Sequence, residues 1–230
     1  MTNRPTVIVV DDDADFRKSV VRLLQMSGYE IAHYESADQL LLHLPASGPC
    51  CILLDLNMPR LSGLELQTRL TEMDARLPIV FLTGRGDIPS SVTALKAGAE
   101  DFLCKPACKR DLLDAIERAI SRDQKTREGQ AELGSLRALF DRLTPREKQV
   151  YSLVLTGKLN KQIAYELTTT ERTIKAHRQN MMHKLQTRSL VELLSFAERM
   201  NALAGAHKGP APFNVEPPPY GTKGYCTHVQ

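Results

Sequence analysis

Five short apolar runs, each followed by a segment with helical spacing, constrain this chain more than any other feature. They are TVIVV (6–10), EIAHY (30–34), CILLD (51–55), PIVFL (78–82) and DFLC (101–104). A strand covered on both faces reads as a near-continuous apolar run, because neither side of the pleat meets water. Between the runs, Ser36-x-x-Gln39 and Ser62-x-x-Glu65 have the spacing of helix capping boxes. Leu112, Leu113, Ile116, Ala119 and Ile120 form one helical stripe. Strands alternating with helices predict an α/β domain with a doubly wound, five-stranded parallel sheet. In such folds, sites form where loops leave the carboxyl ends of the strands.

The pattern changes after residue 122. Residues 123–142 read as a partly helical linker, with Leu133, Leu136, Phe140 and Leu143 on one face and Gly129 and Gly134 weakening it. That face suits either a dimer seam or packing onto the chain's own domains. Residues 143–202 read as a compact four-helix domain. Thr144-Pro145-Arg146-Glu147 places an N-cap, a proline at the first helical position and a capping-box glutamate in order. Gly157 stands where that helix should stop. Asn160, Thr170 and Ser189-x-x-Glu192 are the expected openings of three more helices. The tail, 203–230, is rich in proline and glycine and is expected to be disordered.

Charge divides along the same boundary. Residues 1–120 hold 13 Lys/Arg against 17 Asp/Glu, whereas 142–188 hold 10 against 3. A basic second half points to a polyanionic partner, with a solvated basic face as the plain alternative. The five cysteines (50, 51, 104, 108 and 226) contain no CxxC pair and read as free thiols of a reducing compartment. No apolar run approaches the ~20 residues of a membrane span. The opening MTNRP lacks a secretory pattern, so a cytoplasmic protein without membrane contact is expected.

The run VIVVDDDADF (7–16) sets three aspartates at the mouth of a buried strand. Two carboxylates ~4 Å apart repel by about 4 kcal/mol at an effective dielectric of about 20, so something must offset them. Asp55 ends the third run, Thr83 follows the fourth and Lys105 the fifth. A doubly wound sheet would gather these groups in one crevice. Clustered carboxylates make a site for a hard cation such as Mg²⁺. Each aspartate taken alone reads equally well as a helix N-cap, and Asp13 is the candidate for that role.

VVDDD, LLDLNMPRLSG, FLTGRGD and DFLCKP together resemble the signature segments of bacterial response-regulator receiver domains, over about residues 5–122. The resemblance implies a flavodoxin-like fold with Asp55 as phosphoacceptor, a carboxylate nucleophile that carries a phosphoryl group. It implies Mg²⁺ held by Asp11, Asp12, Asp55 and the carbonyl of Asn57. Thr83 and Lys105 would hold phosphoryl oxygens, and Phe102 would be the switch aromatic, although an ordinary core role is open to it. It further implies a cis bond before Pro106. Asn57 and Arg85 would tune the phosphoryl lifetime. TGRGDIPSSVTALKAGAEDF is most similar to the FixJ branch.

Residues 143–189 resemble the LuxR/FixJ-type helix-turn-helix through Thr144-Pro145-Arg146-Glu147, Gly157, Asn160-Lys161, Ile163-Ala164, Arg172-Thr173-Ile174-Lys175, His177 and Lys184-Leu185. Independently, a helical wheel over 171–185 sets Ile174, His177, Met181 and Leu185 on one side. Arg172, Lys175, Ala176, Gln179 and His183 fall on the other. Lys addresses guanine and Gln adenine in the major groove. The resemblance picks Lys175, Ala176 and Gln179 as base readers. Arg172, Arg178, Lys184, Lys161 and Arg188 are the expected phosphate contacts.

The whole reads as a two-component response regulator. A sensor histidine kinase would phosphorylate Asp55, the chain would form a homodimer, and the dimer would bind double-stranded DNA and act with RNA polymerase to regulate transcription, with activation the expected direction. Two rivals follow from the same residues. A Mg²⁺-dependent phosphohydrolase would need a second acid where Asn57 stands. A phosphorylation-independent DNA binder would not need the full acidic set with Thr83 and Lys105.

Overall fold

In a computed structural model, residues 4–44, 48–75, 77–84 and 88–206 are described. The chain divides into two compact units, Met1–Gly129 and Gln130–Gln230.

The first unit holds strands β1 (Thr6–Val10), β2 (Glu30–Tyr34), β3 (Cys50–Asp55), β4 (Ile79–Thr83) and β5 (Asp101–Cys104). All pairings are parallel, in the order β2-β1-β3-β4-β5. The expected doubly wound sheet is present, and its strand order reverses between β1 and β3. Helices α1 (Ala14–Met26), α2 (Ala37–Leu42), α3 (Gly63–Glu72), α4 (Ile88–Lys96) and α5 (Lys109–Asp141) complete the unit, α5 continuing into the second.

The period-2 geometry of the strands sorts their side chains into two cores. Val7, Val9, Cys51, Leu53, Val80 and Leu82 pack with Val20 and Leu24 of α1 and with the α5 stripe Leu112, Ala115, Ile116, Ala119 and Ile120. Ile8, Val10, Ile52, Leu54, Ile79 and Phe81 pack with Ala37 and Leu40 of α2, Leu66 and Leu70 of α3 and Ala94 of α4. β1, β3 and β4, so enclosed, could not alternate polar and apolar residues and show unbroken runs; β2 and β5 lie at the sheet edges and are only partly buried, contrary to the expectation for EIAHY and DFLC.

Local signals set the element ends. Asp13 caps α1 by accepting the N–H groups of Asp15 and Phe16. Ser62 and Glu65 close a full capping box. At Ser36 only half the box forms, since Gln39 turns its carbonyl to the Glu35 N–H. Gly63 lets the loop after β3 close on itself, because a Cβ there would lie 2.5 Å from the Asp55 carbonyl oxygen. The Lys105–Pro106 bond is cis. Cys50, Cys51, Cys104 and Cys108 are free thiols, and Cys226 lies outside the described residues.

The segment expected as a partly helical linker is continuous helix through Asp141. Asp123, its first residue, is buried and ties α5 to the first unit: it accepts the Cys50 N–H at 2.9 Å and pairs with Arg127 at 2.6 Å. Nothing in the local pattern marks this anchor, because its partner strand begins 73 residues earlier.

The second unit gathers α6 (Pro145–Leu155), α7 (Asn160–Glu166), α8 (Glu171–Lys184) and α9 (Leu190–Ala206) around one core. Leu136, Phe140 and Leu143 join that core, with Phe140 edge-on to Tyr151 at 5.2 Å. The end of α5 therefore adds a fifth helical piece to the four expected, and its apolar face is used within the unit. Helix α9 runs to Ala206, so the first residues of the expected disordered tail are helical, and 207–230 lie outside the described residues. Asn160 does not cap α7. Leu159 holds the cap position, and Gln162 accepts its N–H. Thr168 takes a left-handed φ of 49° in the turn between α7 and α8.

Glu147, buried at the start of α6, accepts the Thr144 N–H at 2.8 Å and the Lys184 ammonium of α8 at 2.7 Å. Burial alone would raise its pKa, but the Lys184 and Thr144 hydrogen bonds prevail and hold it below the ordinary glutamate value. A depressed folded pKa gives stabilisation that is present above the unfolded value and is lost as pH falls through the folded one. Glu147→Gln should therefore lower the unfolding free energy by about 2 kcal/mol at neutral pH. The difference should shrink below about pH 4, as urea titrations across pH would measure.

Candidate functional site

Two sites emerge, one in each unit. The first lies at the carboxyl ends of β1, β3, β4 and β5, beside the point where strand order reverses, the expected place for a site in an open α/β sheet. Asp11 follows β1 and is almost wholly buried, and Asp55 closes β3 and is buried as well. Asp12 is exposed beside them. One oxygen from each of the three lies within 4.8 Å of the others.

The offset for this repulsion is Lys105. Its ammonium lies 2.6 Å from Asp11 Oδ2 and 3.1 Å from Asp55 Oδ1, and 4.3 Å from the centre of the Phe16 ring. Asp11 Oδ1 accepts the Asp13 N–H at 3.0 Å, and the Asp11 carbonyl accepts from Arg17. Burial pushes the Asp55 carboxyl above the ordinary aspartate value; Lys105 opposes that rise, and Asp11 and Asp12 add to it. Burial works against the Lys105 charge, yet its bonds to Asp11 and Asp55 hold its pKa above the ordinary lysine value. The cluster thus holds a carboxylate that is costly to leave ionised beside a cation that is costly to discharge.

Thr83 is fully buried at the end of β4, and its carbonyl accepts the Lys105 N–H at 2.7 Å. Phe102 is half-buried on β5, with its ring centre 6.1 Å from that of Phe81. Asn57 stands exposed in the loop after β3. Arg85 lies outside the described residues. Three close carboxylates with only oxygen donors suit a hard divalent cation. Sequence reading missed Phe16 and Arg17. Both lie one helical turn past the aspartates, so their nearness in the chain was the available signal.

The second site is the outer face of α8. Ile174, Met181 and Leu185 are buried, as the wheel requires, and His177 is half-buried. Arg172, Lys175, Ala176 and Gln179 are exposed together, and Lys161 of α7 and Arg188 beyond α8 are exposed too. Arg178 and Lys184 differ from these. Arg178 donates to Asn160 Oδ1 at 2.8 Å, and Lys184 is bonded to Glu147. Both side chains are half-buried struts that fix α8 against α7 and α6. Asn160 and Glu147 are the orienting partners that helical spacing did not reveal, since each bond crosses between helices.

Comparison with known proteins covers both units. Residues 7–117 match the response regulator receiver domain, and residues 141–197 match the bacterial regulatory proteins of the luxR family. Nodulation protein W of Bradyrhizobium diazoefficiens is 41% identical over 203 residues, 88% of this chain and 89% of that protein. The transcriptional regulatory protein FixJ of Rhizobium meliloti is 38% identical over 192 residues, 84% of this chain and 94% of FixJ. Among solved structures, the response regulator StyR is similar with a TM-score of 0.79 and 44% identity, covering 85% of this chain and 99% of StyR. A buried aspartate bracketed by acids and a lysine, an exposed cationic helix and these relatives lead to one assignment: the chain belongs to the response regulators that join a receiver domain to a LuxR-type DNA-binding domain, the family of FixJ and its relatives.

Proposed function

We propose that Asp55 accepts a phosphoryl group from a sensor histidine kinase and that its charge state sets the DNA affinity of α8. The Lys105 ammonium, seated between Asp11 and Asp55, is the observation that carries this reading. An Asp55 oxygen attacks the phosphorus of a phosphohistidine, an acyl phosphate forms, and the imidazole leaves. Lys105 neutralises charge on the transferred group, and the Thr83 hydroxyl donates to one of its oxygens. Phosphoryl transfer depends mainly on such alignment and charge compensation. Asp11, Asp12, Asp55 and the Asn57 carbonyl would hold Mg²⁺, which supplies further positive charge to the phosphoryl oxygens.

In this reading the chain divides functionally as receiver 5–122, connector 123–142 and DNA-binding domain 143–202. Movement of Thr83 toward the phosphoryl group opens space for the Phe102 ring, which couples a local charge to the α4–β5 face. Phosphorylated receivers pair, and two copies of α8 meet major-groove half-sites about one DNA turn apart. Lys175, Ala176 and Gln179 read bases. Arg172, Lys161 and Arg188 contact phosphates. Arg178 and Lys184 reach phosphate only by exchanging their bonds to Asn160 and Glu147, so their main contribution is to orient α8. The promoter-bound dimer then acts with RNA polymerase in the cytoplasm to regulate transcription. Among the described residues, no helix is long and apolar enough to cross a membrane.

Asp55→Asn should abolish the acyl-phosphate label given by acetyl phosphate and Mg²⁺, read as the mass increment of one phosphoryl group. Full labelling of that variant would remove Asp55 as the acceptor. Lys175→Ala should cost about 1–3 kcal/mol at one base position and relax preference there, whereas Lys161→Ala should weaken binding to all sequences and lower the salt slope by about 1. Selection from a random DNA pool separates the two: an unaltered motif for Lys175→Ala would contradict base reading.

A further inference from the structure

The cationic face of α8 borders a cleft of about 480 Å³ in which His183 and Thr187 join the residues assigned above, Lys175, Arg178, Gln179 and Arg188. His183 is exposed in the last turn of α8, one turn past Gln179 and two past Lys175. Eight residues at about 1.5 Å each place it roughly 12 Å along the axis from Lys175. The B-DNA major groove is about 12 Å wide. When the N-terminal part of such a helix reaches base edges with Lys175 and Gln179, His183 in its last turn lies on the same outward face, toward the phosphates that flank the groove.

Building on the DNA-binding reading, we infer that His183, flanked by Thr187 and Arg188, is a phosphate contact that works in its protonated form, so that DNA affinity falls as pH rises. Histidine is the side chain that changes charge between pH 5 and 8. Lys175, Arg178 and Arg188 line the same cleft. The carboxylates of the surrounding elements are engaged elsewhere: Glu147 of α6 holds Lys184, Glu166 of α7 holds Lys158, and Glu192 of α9 accepts the Arg188 N–H. In the complex the protonated imidazole donates its N–H to a DNA phosphate oxygen.

The test is fluorescence anisotropy with the full-length chain and a labelled duplex of about 30 base pairs of arbitrary sequence, since phosphate contacts are blind to sequence. Wild-type affinity should fall roughly tenfold from about pH 6 to about pH 8, the loss of one charged hydrogen bond. Its salt slope should become shallower by about 0.9 as one phosphate contact loses its charge. His183→Gln should bind weakly at both pH values, and His183→Lys tightly at both, each with a flat profile. A wild-type affinity that is salt-dependent yet flat in pH would overturn the protonated contact and leave DNA binding standing. A His183→Gln variant that keeps the wild-type fall would overturn it. No binding to duplex at any pH or salt would overturn both this contact and the DNA-binding reading.

Discussion

The ammonium of Lys105 between Asp11 and Asp55 is the interaction on which the first unit depends. Two buried carboxylates from adjacent strands would otherwise repel in a weakly screening environment. A lysine from the far strand β5 joins charges on β1, β3 and β5 into one cluster, so the carboxyl ends of those strands share one electrostatic balance. The cluster is not fully relaxed. Burial still raises the Asp55 carboxyl, and Asp11 and Asp12 add to that rise. Negative charge thus remains at the site, where three close carboxylates with oxygen donors suit a hard cation.

The second unit solves a different problem with similar means. Helix α8 presents its cations outward while being held rigidly from behind. Ile174, Met181 and Leu185 supply the apolar anchor, while Arg178 on Asn160 and Lys184 on Glu147 supply the polar ones. Glu147 serves twice, closing the cap of α6 and pinning the end of α8. A capping box read from sequence as a helix start is thus also a bond between helices.

What was legible in the sequence follows from the range of the forces involved. Strand runs, the caps at Asp13, Ser62 and Thr144, and the inward stripe of α8 are set by neighbours within a few residues, so they could be read directly. The convergence of Asp11, Asp55 and Lys105 is long-range, yet it was legible because strand ends meet once the doubly wound sheet is inferred; that Lys105 itself pairs with both aspartates, where a divalent cation was the expected offset, was not. Asp123 with Cys50, Arg178 with Asn160 and Lys184 with Glu147 were not legible, because each joins elements whose mutual packing no local pattern specifies. Asn160 shows the cost of purely local reading: it has the chemistry of a cap, and the fold uses it to hold an arginine instead.

The central claim is that the charge state of the Asp55 cluster governs DNA affinity. The most direct measurement uses beryllofluoride with Mg²⁺, a phosphoryl mimic, on the full-length chain. Affinity for a duplex that the protein itself selects from a random pool is followed while site occupancy is read by ¹⁹F NMR. DNA affinity should rise in step with occupancy, by about tenfold, within the usual range of coupling between sites. Affinity that stays constant while the site fills would contradict the account.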